Sequence, residues 1–157
     1  TIIEYASATC SHCAHFHEKT FPILKSKYID TGKARFILRE FPLDPLAAGG
    51  FMLARRACDK REALIDLLFK QQKNWAFVDK PVDALAGLVK QAGFTQESFE
   101  KCLTDQSLLD GVLAVKNQGM NDFKVDSTPT FFINGTKYPG AMSIDEFDKI
   151  LSPIVGN

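Results

Sequence analysis

The sequence lacks the long apolar runs and the one-sided charge that mark several protein classes. None of the apolar runs in its 157 residues reaches the roughly 18 residues that a membrane-spanning helix needs. Lysine plus arginine and aspartate plus glutamate each number 19, so the formal net charge is zero and the basic excess of a nucleic-acid binder is missing. We therefore expect neither a membrane-spanning chain nor a nucleic-acid partner.

Cysteine is also scarce, because four residues are too few for a scaffold held together by disulfides. Apolar residues make up 45% and charged residues 24%, which is close to the globular average and argues against disorder or a coiled coil. The first residues read as a strand, without the basic and apolar regions of a signal peptide. We expect one domain whose signal peptide is absent from this chain.

The pattern along the chain predicts β-α-β, then a block of helices, then β-β-α. A strand is expected at residues 2–6, a helix from about 10 to 28 with a kink at Pro22, and a strand at 34–41. The helices expected in the central block are 45–58, 60–73, 81–92, 96–103 and 105–122.

The last part of the chain returns to strands. Residues 129–134 and 136–138 flank an Asn134-Gly135 turn, and Ser143 caps a helix expected at 144–152. The two β-containing segments need each other to complete one sheet. The chain therefore reads as an α/β domain, formed by residues 1–44 and 123–157, that is interrupted by an all-helical insertion at about 45–122.

Cys10-Ser11-His12-Cys13 lies where the first strand gives way to a helix. A helix N-terminus carries unpaired N–H groups and a partial positive charge, which both stabilise a thiolate at Cys10. The two-residue spacing lets both sulfurs meet in the first helical turn. His12 adds a hydrogen-bond donor or a positive charge beside the thiolate, and the Ser11 hydroxyl is a further donor. A stabilised thiolate favours the reduced pair, so the motif predicts thiol–disulfide exchange with an oxidising disulfide.

A metal site is the competing interpretation, because His15 and His17 follow the two cysteines. Residues two apart on a helix point to opposite sides, so one turn cannot bring all four donors to one zinc ion. We expect both histidines on the solvated helix surface and predict no dedicated metal site.

Three segments together resemble the DsbA family of bacterial disulfide oxidoreductases: IIEYASATCSHCAHFH, ILREFPLDP and STPTFFING. The resemblance covers nearly the whole chain and implies a thioredoxin-like fold with a helical insertion subdomain. It implies that Cys10 is the exposed nucleophile, that Cys13 is its buried partner, and that Pro129 is a cis-proline packed against them. The backbone at Thr128 would pair with an extended substrate chain. No cofactor is implied, since the cysteine pair is the redox centre.

Glu4 matches an acidic residue that the family buries beneath the cysteines. Such a carboxylate would have a raised pKa and could relay a proton to or from Cys13; the alternative is a surface residue on an edge strand. Arg39 or Glu40 on the next strand is a candidate polar partner for Glu4.

Cys58 and Cys102 form the second pair, and each lies near the end of a helix expected in the insertion. Some DsbA-like proteins are similar in carrying a second pair. A structural disulfide between them would suit an oxidising compartment, whereas the alternative is two free cysteines in the core.

The resemblance implies a periplasmic oxidase that introduces disulfides into reduced exported proteins and is reoxidised by a membrane quinone-linked thiol oxidase. Two features differ from the usual pattern of the strong oxidases: Ser11 stands where the family has proline, and Thr128 where valine is frequent. A disulfide reductase or isomerase that uses the same site is therefore the first alternative, and a non-enzymatic metal-binding module is the second.

Overall fold

The computed structural model describes residues 1–156, and Asn157, the last residue of the predicted domain range, lies outside it. The strands are β1 Ile2–Ala6, β2 Phe36–Glu40, β3 Thr130–Ile133 and β4 Thr136–Pro139. The helices of the described chain are α1 Ser11–Lys19, α2 Phe21–Leu24, α3 Pro45–Arg56, α4 Arg61–Lys70, α5 Gln72–Trp75, α6 Pro81–Val89, α7 Gln96–Leu103, α8 Gln106–Phe123 and α9 Ile144–Val155. None of these helices combines the length and the apolar character that a bilayer crossing requires.

The four strands form one mixed sheet in the order β2-β1-β3-β4. Strand β1 runs parallel to β2 and antiparallel to β3, and β3 and β4 form an antiparallel hairpin. Residues from both ends of the chain therefore meet in the sheet. In this register Glu4 lies between Leu38 on β2 and Phe131 on β3, so a carboxylate stands in an apolar row.

One face of the sheet is covered by aromatic packing from α1 and α9. Phe16 on α1 lies 4.8 Å from Phe131 on β3, and Phe147 on α9 lies 5.2 Å from Phe131, measured between ring centroids. All three side chains are almost fully buried. Their burial holds α1 in a fixed position against the strand that follows Pro129.

The helices α3 to α8 occupy the chain between β2 and β3. Polar side chains cap the starts of three of these helices: Asp44 caps α3 by accepting from the Ala47 N–H, Thr95 and Ser98 form a capping box at α7, and Asp105 caps α8. Trp75, fully buried, donates from Nε1 to the Leu68 carbonyl. Trp75 belongs to a cluster of buried apolar residues that also includes Cys10 and Cys13. The helical block and the first turn of α1 therefore share one core.

The predicted element order is observed, and the main differences concern helix continuity. The helix expected from 10 to 28 is divided at Thr20 into α1, α2 and a π-helical turn, Lys25–Ile29. Pro22, which cannot donate to a preceding carbonyl, takes the second position of α2, where no such bond is needed. The helix expected at 60–73 is likewise divided at Gln71 into α4 and α5.

Gly119 on α8 allows the helix to approach the sheet closely, and its replacement tests that contact. A Cβ atom at this position would lie 2.7 Å from Cε1 of the buried Tyr5 ring. We expect Gly119→Ala to lower the free energy of unfolding by about 1–3 kcal/mol through overpacking. The control is Gly87→Ala on α6, where a Cβ would meet nothing within 4 Å. This variant should be stabilised by up to about 1 kcal/mol. Equal effects of both changes in urea unfolding would contradict the close approach.

Candidate functional site

The loop between β1 and α1 is held by contacts from the loop that follows β2. Ser7 Oγ accepts from the Leu43 N–H at 3.1 Å, and Thr9 Oγ1 donates to Asp44 Oδ2 at 2.9 Å. The Cys10 N–H donates to the Ser7 carbonyl. The strand therefore delivers Cys10 to the start of α1 in a defined position.

Cys10 is the N-cap residue of α1, and its sulfur replaces the usual oxygen cap. The backbone N–H of Cys13 donates to Cys10 Sγ at 3.2 Å, in the geometry that serine or aspartate adopts at helix starts. The exposed fraction of Cys10 is 6% and that of Cys13 is zero. The expectation that Cys10 is exposed is therefore wrong, because the packing around the start of α1 buries it, although it is the more accessible of the two cysteines.

The environment drives the pKa values of the two thiols apart. The Cys13 thiol, which hydrogen-bonds the Cys10 sulfur, is the main cause that lowers the pKa of Cys10 to about 6. Thr128 and the backbone N–H groups of Cys13 and His12 act in the same direction, and burial opposes them. Burial, followed by the interaction with Cys10 and the charge of Glu4, raises the pKa of Cys13 well above its usual range. Near neutral pH the pair therefore holds one thiolate and one thiol.

The segment before β3 forms the other wall of the site. The peptide bond between Thr128 and Pro129 is cis, and Cys10 Sγ lies 3.5 Å from the Thr128 carbonyl oxygen. Thr128 Oγ1 is buried and has no hydrogen-bond partner in residues 1–156. The residue whose carbonyl meets the Cys10 sulfur thus carries a hydroxyl that no hydrogen bond holds elsewhere in the described structure.

Gln72 on α5 is a site residue that the sequence analysis missed. Its buried Nε2 donates to the carbonyls of Ala8 and Cys10, each at 2.9 Å. These bonds join the helical block to the loop that carries Cys10. A glutamine 62 positions from Cys10 carries no motif, so only the tertiary structure reveals it.

Three of the predicted polar residues near the cysteines face solvent. Ser11, His12 and His15 are all exposed at the start of α1. The shift that His12 contributes to the pKa of Cys10 comes from its backbone. The His12 side chain thus faces solvent next to Cys10.

The expectation that His17 lies on the solvated surface is wrong. Its side chain is 5% exposed, and its Nε2 lies 2.7 Å from Glu4 Oε1. The ring is stacked on Phe69 at 4.4 Å between centroids. Position 17 is one turn after Cys13, so the face of α1 that buries the cysteine also buries this ring.

Glu4 is fully buried, which excludes the alternative of a surface residue on an edge strand. Its expected partners, however, are wrong. Arg39 is opposite Tyr5 in the register, and its Nη1 donates to the Tyr5 hydroxyl. Glu40 is held by Arg55 in a two-bond ion pair at 2.6 and 2.8 Å. The register leaves the apolar Leu38 beside Glu4, so its polar partner comes from α1 instead.

Cys58 and Cys102 are free thiols in this structure, as are Cys10 and Cys13, so the disulfide between them stays a prediction. Cys58 is exposed, with a positive φ of 54°, and its Sγ donates to the Arg56 carbonyl. Cys102 is buried, and burial raises its pKa while Arg56 lowers it. Both thiols thus lie near Arg56.

Within residues 1–156, no three histidine, cysteine, aspartate or glutamate side chains are grouped as metal ligands. His17 is turned to Glu4 and His15 to solvent, so neither joins the two cysteines. The donor geometry gives the metal-binding alternative no support.

Replacing Cys13 tests how the Cys10 thiolate is stabilised. In Cys13→Ala the backbone N–H remains, but the thiol that contributes most to the low pKa of Cys10 is lost. We expect the Cys10 titration midpoint to rise from about 6 toward the ordinary range near 8.5. The ultraviolet absorbance of the thiolate measures it, with Cys10→Ala as the blank. An unchanged midpoint would assign the shift to the helix N-terminus alone.

A sequence model of the thioredoxin family matches residues 1–152. A protein from Rickettsia bellii, provisionally named a protein-disulfide oxidoreductase, is 36% identical over 138 residues, which are 87% of this chain and 53% of that protein. The chain thus spans about half the length of the curated relatives it matches.

Solved structures agree with the family match. Wolbachia pipientis alpha-DsbA1 superposes with a TM-score of 0.90 at 29% identity, covering 99% of this chain and 85% of that one. A variant of that protein is 30% identical, with a TM-score of 0.89 and 84% of its chain covered. BdbD from Bacillus subtilis, with a TM-score of 0.82 at 16% identity, shares the fold. The predicted α/β class, a thioredoxin-like fold with a helical insertion, is confirmed.

Proposed function

The chain belongs to the thioredoxin family and is DsbA-like within it, and from this premise we propose that it is a thiol:disulfide oxidoreductase that works through Cys10 and Cys13. The observation that carries the proposal is the position of Cys10 Sγ at the start of α1, where it accepts from the Cys13 N–H at 3.2 Å beside the fully buried Cys13. The pKa of Cys10 is lowered and that of Cys13 is raised in this arrangement. A low-pKa sulfur at a helix start is a nucleophile and a good leaving group, whereas its buried partner stays protonated.

The direction that the site supports best is oxidation of substrate thiols. A substrate thiolate attacks Cys10 Sγ of the disulfide, Cys13 leaves and takes up a proton, and a mixed disulfide forms. A second substrate thiolate then attacks the substrate sulfur, and Cys10 leaves as a thiolate. Because the stabilised thiolate lowers the free energy of the reduced pair, the disulfide is oxidising.

We further propose that the substrates are reduced or unfolded exported proteins and that the compartment is the periplasm. An extended substrate chain would pair with the backbone of Thr128 beside the Cys10 sulfur, as strands add to exposed edges. The 3.5 Å approach of Cys10 to the Thr128 carbonyl supports this placement. A membrane quinone-linked thiol oxidase would reoxidise the pair, and no cofactor of the chain's own is needed.

A disulfide reductase or isomerase remains the second candidate, and the Thr128 hydroxyl is the observation that favours it. This buried hydroxyl lacks a partner in the described structure, and the carbonyl oxygen of the same residue lies 3.5 Å from Cys10 Sγ. Bonding to a sulfur of the mixed disulfide would slow or redirect substrate release. The redox potential separates the two candidates.

A redox titration of Cys10–Cys13 against glutathione, with Cys58 and Cys102 replaced by alanine, tests the proposal. We expect a potential near −120 mV, as in strongly oxidising members, whereas about −230 mV or lower would favour the reductase.

The pH dependence of the same potential tests the Cys10 pKa of about 6. Above pH 6 the reduction of the disulfide takes up one proton, so the potential should fall by about 30 mV per pH unit. Below pH 6 the reduction takes up two protons, so the potential should fall by about 59 mV per pH unit. A Cys10→Ala control should show no exchange. A slope near 59 mV up to pH 8 would contradict the low pKa.

We propose a structural disulfide between Cys58 and Cys102 in the oxidised protein, and stability tests it. With Cys10 and Cys13 replaced by alanine, the disulfide should add roughly 3–4 kcal/mol to the free energy of unfolding in the absence of reductant. Urea unfolding of this protein and of its Cys58→Ala/Cys102→Ala derivative, with and without reductant, measures the difference. Two free thiols in the air-oxidised protein would contradict the pairing.

A further inference from the structure

We propose that Gln72 is a positioning residue for thiol–disulfide exchange: its side-chain amide, which comes from the helical block, holds the Cys10 backbone in the conformation in which Sγ caps α1. This role rests on the proposed function, in which Cys10 Sγ is the atom that meets the substrate sulfur. Gln72 itself forms no covalent bond and moves no proton. It acts on the reaction through the backbone of Cys10.

Gln72 occupies a position in the helical block that its neighbours fill with apolar side chains. Leu68 and Trp75, about one helical turn before and after it, are almost fully buried, and Gln72 itself is 4% exposed. An amide buried in such a place costs free energy unless its hydrogens are bonded, whereas leucine would pack there without that cost. The two hydrogen bonds of Nε2 therefore distinguish Gln72 from a residue that serves packing alone.

Both hydrogens of the Gln72 amide are donated to backbone carbonyls beside the nucleophile. Nε2 lies 2.9 Å from the Ala8 oxygen and 2.9 Å from the Cys10 oxygen. The Cys10 carbonyl also accepts from the Ala14 N–H at 3.1 Å, which is the bond that a capping residue makes with its own helix. One side chain from a distant helix therefore fixes the peptide groups that follow Ala8 and Cys10.

The orientation of the Cys10 carbonyl determines whether the side chain of Cys10 can cap the helix. Cys10 has an extended backbone, with a φ of −82° and a ψ of 117°, which is the conformation of a capping residue. Rotating ψ to a helical value would turn the carbonyl away from Gln72. The same rotation would withdraw Sγ from the Cys13 N–H, which lies 3.2 Å from it. The bond from Gln72 opposes this rotation.

The other bonds of this loop act at different atoms. Ser7 Oγ and Thr9 Oγ1 bond to the loop that follows β2, and the Cys10 N–H donates to the Ser7 carbonyl. These bonds fix the approach of the chain to Cys10, but they do not reach its carbonyl. Within residues 1–156, Gln72 thus supplies the tertiary contact that restrains the rotation about the Cα–C bond of Cys10.

A fixed Cys10 backbone serves both steps of the exchange. In the first step the substrate thiolate attacks Cys10 Sγ in line with the bond to Cys13, which breaks as the mixed disulfide forms. In the second step Cys10 Sγ leaves the substrate sulfur as a thiolate, and the Cys13 N–H is in place to bond it. Because a misplacement of about 1 Å can cost roughly a hundredfold in rate, a loosened Cys10 would slow both steps.

The test compares two variants of Gln72 with a control at the neighbouring glutamine. Gln72→Met keeps the length of the side chain and removes both donors, whereas Gln72→Asn keeps the amide and withdraws it by the length of a methylene group. The control is Gln71→Met, because the Gln71 side chain bonds to Asn74 within its own turn. We expect both Gln72 variants to oxidise a reduced dithiol peptide at least about tenfold more slowly than the wild-type protein, and the control to keep the wild-type rate.

The titration midpoint of Cys10 is a readout that a loss of stability alone would not move. A displaced Sγ loses the Cys13 N–H, so the midpoint should rise from about 6 by roughly one pH unit in both Gln72 variants. The disulfide should become less oxidising, because the reduced pair is less stabilised. Folded Gln72 variants with the wild-type midpoint and rate would overturn the positioning role, even if urea unfolds them more readily.

A measurement on the wild-type protein decides the role of Gln72 even where a variant does not fold. NMR couplings across hydrogen bonds report whether Nε2 of Gln72 is bonded to the carbonyl carbons of Ala8 and Cys10. We expect both couplings in the reduced protein, together with a Gln72 amide resonance that follows the Cys10 titration. Missing couplings, or an amide resonance that does not respond to that titration, would overturn the role. A wild-type protein that exchanges no disulfides would overturn the proposed function instead, while the couplings and the Cys10 midpoints still decide the role of Gln72.

Discussion

The contact between Cys10 Sγ and the start of α1 is the interaction on which the rest of the site depends. The sulfur caps the helix by accepting from the Cys13 N–H, so one bond fixes both the Cys10 side chain and the helix end. The same turn buries Cys13 and places the two thiols in opposite environments. Capping, burial and the separation of the pKa values are thus consequences of a single geometry.

The surroundings of that turn come from distant parts of the chain. The Thr128–Pro129 segment approaches the sulfur from the hairpin side, and Gln72 holds the preceding carbonyls from the helical block. The two segments are far apart in the sequence, yet both limit how the Cys10 loop can move. Cys10 is consequently held at the boundary of two packed regions, the sheet with its hairpin and the helical block.

Much of this architecture is readable from the sequence because its signals are local. The strand before the Cys-x-x-Cys motif, the Asn134-Gly135 turn and the Ser143 cap each depend on neighbouring residues, and the element order follows from them. Helix breaks were harder to predict, since Thr20 and Gln71 interrupt patterns that remain apolar on one face. Burial of Glu4 was expected from the resemblance. The alternation of side chains along β1 did not by itself decide which face of the sheet the Glu4 side chain occupies.

By itself the sequence determined the element order, the redox motif and the helix start that activates it, because hydrogen-bond capping and side-chain periodicity act over a few residues. Only the tertiary structure decided the partners of the buried polar groups. Glu4 pairs with His17 rather than with Arg39 or Glu40, because the sheet register and the facing turn of α1 select which side chains meet. Gln72 joins the site for the same reason: two segments 62 residues apart are packed into one core.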